Sequence, residues 1–172
     1  MNSLHPDFRD FLACLNSTNV RYLLVGGYAV NFYGHHRNTK DIDVWIAVDV
    51  ENATRIANAL IMFGFSNEEV SPDLFLRRHS VLALGRAPVR IDILSDVDGL
   101  EFEACYSRKL EAELDGVQVR LLRLDDLLTN KVASGRLQDQ ADAKVLSEIQ
   151  AKNTEAPNLP SADTKRKSPK KS

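Results

Sequence analysis

Two aspartates one residue apart, Asp41 and Asp43, sit in the apolar run DIDVWI, and a third, Asp92, lies in VRIDIL between Ile91 and Ile93. In a strand, side chains at i and i+2 share a face, so Asp41 and Asp43 stand together while Ile42 and Val44 face the other way. An unpaired carboxylate in an apolar setting is costly. If the strand carrying Asp92 neighbours the first, three carboxylates converge and repel one another unless a cation lies among them. A ligand set made only of oxygen suits Mg²⁺ or Mn²⁺. Such ions are held by a few carboxylates together with substrate phosphates, which points to phosphoryl or nucleotidyl transfer. Each acid alone has a plainer use: Asp41 paired with Arg37 or Lys40, Asp43 capping a loop, Asp92 paired with Arg90.

Phosphate-binding features stand close by. Gly26-Gly27 falls between an apolar run and a helical stretch, where the lack of side chains lets a ligand approach the backbone and free N–H groups face an anion. Arg37 and Thr39, just before the acidic run, have the reach to meet a substrate phosphate, and a surface loop explains them equally well. His35 and His36 are read as loop residues with no assigned role. The chain has four His in all, too few for a His-rich phosphohydrolase site.

These residues need a scaffold. Residues 6–17 place Phe8, Phe11, Leu12 and Leu15 at helical spacing; RYLLVGG reads as a strand, YAVNFYG as a short helix, DIDVWIAVD as a second strand and ENATRIANALIMFGF as an amphipathic helix. HSVLALG and PVRIDILS supply two more strands, and KLEAELDGVQVRLL a hairpin turning at Asp115-Gly116. Two helices close the pattern, the first capped by Asp125 and separated from the second by a Gly-centred break. The predicted order is α-β-α-β-α-β-β-β-β-α-α. Helices and strands mix without strict alternation, which predicts an α+β fold with a mixed or antiparallel sheet covered by helices on one side.

At 172 residues with 44% hydrophobic side chains, the chain suits one domain, assigned to residues 1–150. No apolar window reaches the length of a membrane span, and the expectation is a soluble, cytoplasmic protein with Cys14 and Cys105 as reduced, apolar fillers. Residues 151–172 hold six Lys/Arg against two acids, a net +4 that leaves the rest at −6 within the overall −2. From Thr154 onward the segment lacks the apolar content to fold, so 151–172 is predicted to be a disordered basic tail, either solubilising or adding nonspecific affinity for nucleic acid.

With these residues in view, GGYAVNFYGHHRNTKDIDVWI resembles the signature of the nucleotidyltransferase superfamily of DNA polymerase β: a Gly-Gly turn opening a helix, Asp-x-Asp on the next strand and a third Asp on a later one. The R-x-T-x-D-I-D form, the RIDIL strand and the segment NKVASGRLQDQAD look most like small bacterial nucleotidyltransferases that include toxins of toxin–antitoxin pairs. The resemblance spans roughly residues 20–148.

The resemblance implies a polymerase β-like fold with C-terminal helices, in which Gly26 and Gly27 form the nucleotide-phosphate turn. It implies that Asp41 and Asp43 ligate metal, Mg²⁺ or Mn²⁺, and that Asp92 completes the site and helps activate an acceptor hydroxyl. Lys131 matches a lysine facing the triphosphate, although helical spacing alone allows a solvated surface residue, and Asp139 and Asp142 match the acids that follow it. The family pattern has a basic residue just before Asp139, where Gln138 stands here. The implied activity moves a nucleoside monophosphate from a nucleoside triphosphate to a hydroxyl of RNA, protein or a small molecule, with a cognate toxin or antitoxin as a further partner. The alternative is a non-catalytic nucleotide- or partner-binding module acting as antitoxin or regulator.

Overall fold

The computed structural model describes residues 3–155. Helix α1 (Pro6–Ser17) starts where the His5 ring accepts from the Asp7 N–H and Pro6 presets the first turn, and it buries Phe8, Phe11, Leu12 and Leu15. Strand β1 (Tyr22–Val25) is buried throughout and runs straight into α2 (Gly26–Phe32). After β2 (Asp41–Ile46) comes α3 (Val50–Phe63), capped by Asp49 accepting from the Asn52 N–H at 2.7 Å and burying Ile56 and Leu60. A 3₁₀ turn (Pro72–Phe75) leads to β3 (Val81–Arg86) and β4 (Val89–Leu94). Then follow α4 (Phe102–Ser107), the hairpin β5 (Leu110–Leu114) and β6 (Val117–Leu121), α5 (Leu124–Ser134) and α6 (Leu137–Glu155).

The six strands form one mixed sheet in the order β3-β4-β2-β1-β6-β5. β2 pairs antiparallel with β1 and parallel with β4, while β1 pairs parallel with β6. Asp115 and Gly116 both take positive φ, +47° and +82°, as the predicted hairpin turn requires.

Several expectations need correction. The predicted order has no helix between the fourth strand and the hairpin, yet Phe102, Cys105 and Tyr106 recur at helical spacing and form α4, whose Phe102 meets Trp45 edge to face at 5.2 Å. Trp45 shares its sheet face with Asp41 and Asp43, so helices do not lie on one side only: α4 covers part of the carboxylate face, and apolar Ile42 and Val44 occupy the other. Asp125 does not cap α5, because the helix begins one residue before it and the preceding Arg123 makes no side-chain cap. Helix α6 continues to Glu155, five residues past the expected domain end at 150; the remainder of the predicted tail lies outside the described residues. Among the described residues, no helix is long and apolar enough to cross a membrane.

Candidate active site

The parallel pairing of β2 with β4 sets Asp43 opposite Asp92 and Asp41 opposite Arg90. Asp92 is buried, and Asp41 and Asp43 are half-buried. Arg90, two residues before Asp92 and on the same face, places Nε 2.9 Å from Asp92 Oδ1 and 4.0 Å from Asp41 Oδ2. The pairing of Asp92 with Arg90 raised by the sequence is therefore present, and Arg90 is also the cation nearest Asp41, in place of the Arg37 or Lys40 suggested by proximity in the chain. The ion pairs of the described residues do not include Asp43. Burial, then the charges of Asp92 and Asp41, push the Asp43 carboxyl up to about 7, and Lys131 opposes that rise only in part.

The three carboxylates are neighbours without being a finished coordination shell. Among the described residues, no group of three His, Cys, Asp or Glu stands ready to hold a metal ion. The donor set still fits Mg²⁺ or Mn²⁺, which need only one or two carboxylates when phosphate oxygens and water complete the sphere.

The two glycines are required by close approach. Gly26 has φ +66°, and a Cβ there would lie 2.1 Å from Asp43 Oδ2; one on Gly27 would lie 2.5 Å from Thr39 Oγ1. Gly26, Gly27, Arg37, Asp41, Asp43 and Asp92 line one cavity of about 600 Å³, together with Lys131 and Asp139. Thr39 does not. It packs behind Gly27, donates its hydroxyl to the Asp41 carbonyl at 3.2 Å and faces a different cleft beside Tyr28 and Lys40.

The elbow between α5 and α6 supplies the opposite charge. Gly135 in the left-handed conformation, φ +68°, ends α5 and turns the chain so that Asp139 and Asp142 come back onto Lys131. Lys131 is buried, with Nζ 2.7 Å from Asp139 Oδ1 and 3.2 Å from Asp142 Oδ2, so it is no solvated surface residue. Asp139 also accepts from the Ser134 hydroxyl and lies 3.0 Å from Arg136 Nε. Arg136, two residues before Gln138, thus sets a positive charge against Asp139. These partners hold the Asp139 carboxyl below its ordinary range against the opposing pull of burial. Asp142 is completely buried and, unlike Asp139, does not line the cavity.

Sequence reasoning weighed Arg90 only as a partner of Asp92 and passed over Asp96, Asp98, Asn130 and Arg136; all five line the cavity. The signal for Arg90 was its i, i+2 spacing from Asp92. Asp98 arrives through a loop pinned to α5, where the Asn130 amide donates to the Asp98 carbonyl at 3.0 Å. His35, left without a role, lies with Nε2 3.5 Å from Asp142 Oδ1.

A mixed sheet that aligns the acids of its second and fourth strands beside a Gly-Gly turn, with a lysine brought over from a later helix, is the polymerase β-like nucleotidyltransferase fold. Known structures share it. The lincosamide antibiotic adenylyltransferase LnuA, in its lincomycin-bound structure, superposes with a TM-score of 0.55 at 17% identity over 87% of this chain and 99% of that one. A Thermotoga maritima protein described as a nucleotidyltransferase gives 0.53 at 19% over 84% and 91%. The antibiotic-resistance factor ANT(2'')-Ia gives 0.52 at 12% over 86% and 89%. No curated protein matches the chain. Residues 8–162 match the model of the family described as "Nucleotidyltransferase of unknown function (DUF6036)", and the chain belongs to that family.

Proposed function

We propose that the protein moves a nucleoside monophosphate from a nucleoside triphosphate to an acceptor hydroxyl, with Mg²⁺ or Mn²⁺ as cofactor. The observation that carries this reading is the register of Asp43 against Asp92, which leaves Asp43 among like charges with its carboxyl pushed up to about 7. Asp41, Asp43 and Asp92 would hold the cation, which when bound neutralises charge on the phosphates and on the attacking oxygen.

The chain's own groups do the rest. Gly26 and Gly27 let phosphate oxygens come against the backbone, and Arg37 and Lys131 face the triphosphate, with Asp139 steadying Lys131. The acceptor oxygen forms a bond to the α-phosphorus, the bond from that phosphorus to its bridging oxygen breaks, and pyrophosphate leaves. Asp92 helps take up the hydroxyl proton. Most of the acceleration would come from positioning and charge complementarity.

For the acceptor, a small hydroxyl compound ranks ahead of RNA or protein, because two proteins of the same fold are an antibiotic adenylyltransferase and an antibiotic-resistance factor. A cognate toxin or antitoxin remains a partner to be sought. A second reading draws on Arg90, which already occupies Asp92: the fold binds a nucleotide or a partner protein without turnover, as antitoxin or regulator. Incubation with α-labelled nucleoside triphosphates and Mg²⁺ or Mn²⁺, in the presence of hydroxylated small molecules, RNA or the protein alone, separates the two. A mass gain of one nucleotide on an acceptor is the expected result. Nucleotide binding with no transfer under any of these conditions would favour the second reading and overturn the first.

A further inference from the structure

Asp142 lies within α6, completely buried, and its two oxygens are engaged from several directions. Arg37 places Nε 3.1 Å from Oδ1 and a terminal guanidinium nitrogen 3.0 Å from Oδ2. Lys131 approaches Oδ2 at 3.2 Å, the Gln138 amide donates to Oδ1 at 3.1 Å, and His35 Nε2 stands 3.5 Å from the same oxygen. Arg37 and Lys131 both line the cavity, whereas Asp142 does not. A planar guanidinium held on two carboxylate oxygens is fixed in orientation as well as in place. The main chain of Arg37 is held too, since the Asn31 side chain accepts from its N–H at 3.1 Å and donates to its carbonyl at 3.0 Å.

We propose that Asp142 is a positioning residue of the nucleotide site: its two-oxygen grip aims the Arg37 guanidinium at the triphosphate, so that triphosphate affinity depends on the docking of α6. This rests on the reading above, in which Arg37 faces the triphosphate. The guanidinium carries five N–H donors, so a bond to Asp142 does not exclude a bond to phosphate. Lys131 has its shorter contact with Asp139, at 2.7 Å, and keeps it when Asp142 is neutralised. The consequence of losing Asp142 therefore falls on Arg37.

The test is calorimetric binding of a non-hydrolysable nucleoside triphosphate and of the matching monophosphate, both with Mg²⁺, to the wild type, Asp142→Asn, Arg37→Gln and the double variant. Asp142→Asn should weaken the triphosphate by about tenfold or more, with little change for the monophosphate, and should add nothing once Arg37→Gln is present. A purely structural role predicts a lower melting temperature with triphosphate affinity unchanged, which overturns the proposal. Additive losses in the double variant overturn the route through Arg37. Should Asp142→Asn not fold, the double variant, which removes both charges of the pair, is set against Arg37→Gln alone: equal triphosphate affinity supports the proposal and a further loss overturns it. If the wild type binds no triphosphate, the underlying reading fails and the proposal with it; if the wild type binds and Asp142→Asn binds equally well, the proposal alone fails.

Discussion

Asp43 on β2 and Asp92 on β4 are register partners across a parallel strand pair, with Arg90 bonded to Asp92 and outside the ion-pair set of Asp43. The consequence is asymmetric. Asp92 has a compensating charge at 2.9 Å, while Asp43 faces two like charges that Lys131 and Arg90 offset only in part. A fold selected for stability alone gains nothing from such an acid, since neutral residues in such positions are commonly stabilising.

Asp43→Asn should therefore keep or raise the melting temperature of the metal-free protein while abolishing nucleotide transfer. Wild-type protein should melt higher once Mg²⁺ and a nucleoside triphosphate are added together, its stability rising by about 2.7 kcal/mol when ligand stands at 100 times its Kd, and the variant should lose most of that gain. Thermal melts and transfer assays on the same samples check both. A marked fall in metal-free stability, or full retained transfer, would sink the assignment of Asp43.

The pH dependence of metal-free stability follows from the same residue. In the unfolded chain Asp43 gives up its proton near 3.8, whereas in the folded protein it keeps it to about 7. Its contribution is fully present below about pH 4 and is lost as pH rises toward 7, by at most about 4 kcal/mol at 1.4 kcal/mol per pH unit. Asp139, held below its ordinary range, works in the opposite sense and loses its contribution as pH falls into the acid range. The difference in melting temperature between Asp43→Asn and wild type isolates the first effect. It should widen in favour of the variant from pH 4.5 to 7.5, and a constant difference would mean that Asp43 titrates as an ordinary carboxylate.

The acids were legible in the sequence because strand alternation turns i, i+2 spacing directly into a shared face, and the parallel register of two apolar strands then brings Asp92 alongside. The setting of Lys131 was not legible in the same way. Its partners come eight and eleven residues later, across the left-handed Gly135, and whether a lysine there is exposed or buried depends on how that elbow folds back. Arg37 and Asp142 are 105 residues apart, a contact no local pattern encodes. Helix α4 escaped notice because its six residues follow a run rich in Asp and Gly, and because Phe102 declares itself only by packing on Trp45. Chain proximity to Asp41 did not show that Thr39 donates its hydroxyl to the Asp41 carbonyl and lies outside the lining of the cavity.

Lys131→Met removes the buried charge that Asp139 and Asp142 share. Breaking a buried pair by removing one partner leaves uncompensated charge, at a cost of about 3–5 kcal/mol. The expected result is a large drop in denaturant midpoint with an unchanged m-value, together with loss of transfer in the protein that remains folded. Lys131→Arg should recover part of the stability. An unchanged midpoint in Lys131→Met would show that the ammonium is solvated.

Gly26 and Gly64 make a controlled pair, since both have positive φ, +66° and +134°, and only one lies beside the acids. Alanine is strained at either position, by about 1–2 kcal/mol in the left-handed region that Gly26 occupies and by no less at Gly64, whose φ lies beyond it. At Gly64 a Cβ meets nothing within 4 Å, so the effect should end there, with transfer activity per folded molecule retained. At Gly26 the Cβ would lie 2.1 Å from Asp43 Oδ2, and the carboxylate must rotate away or β1 and β2 must part. Gly26→Ala should accordingly lose transfer by well over tenfold, while its melting temperature falls only somewhat further than that of Gly64→Ala. Comparable activity in the two variants would show that the orientation of Asp43 does not matter to the reaction.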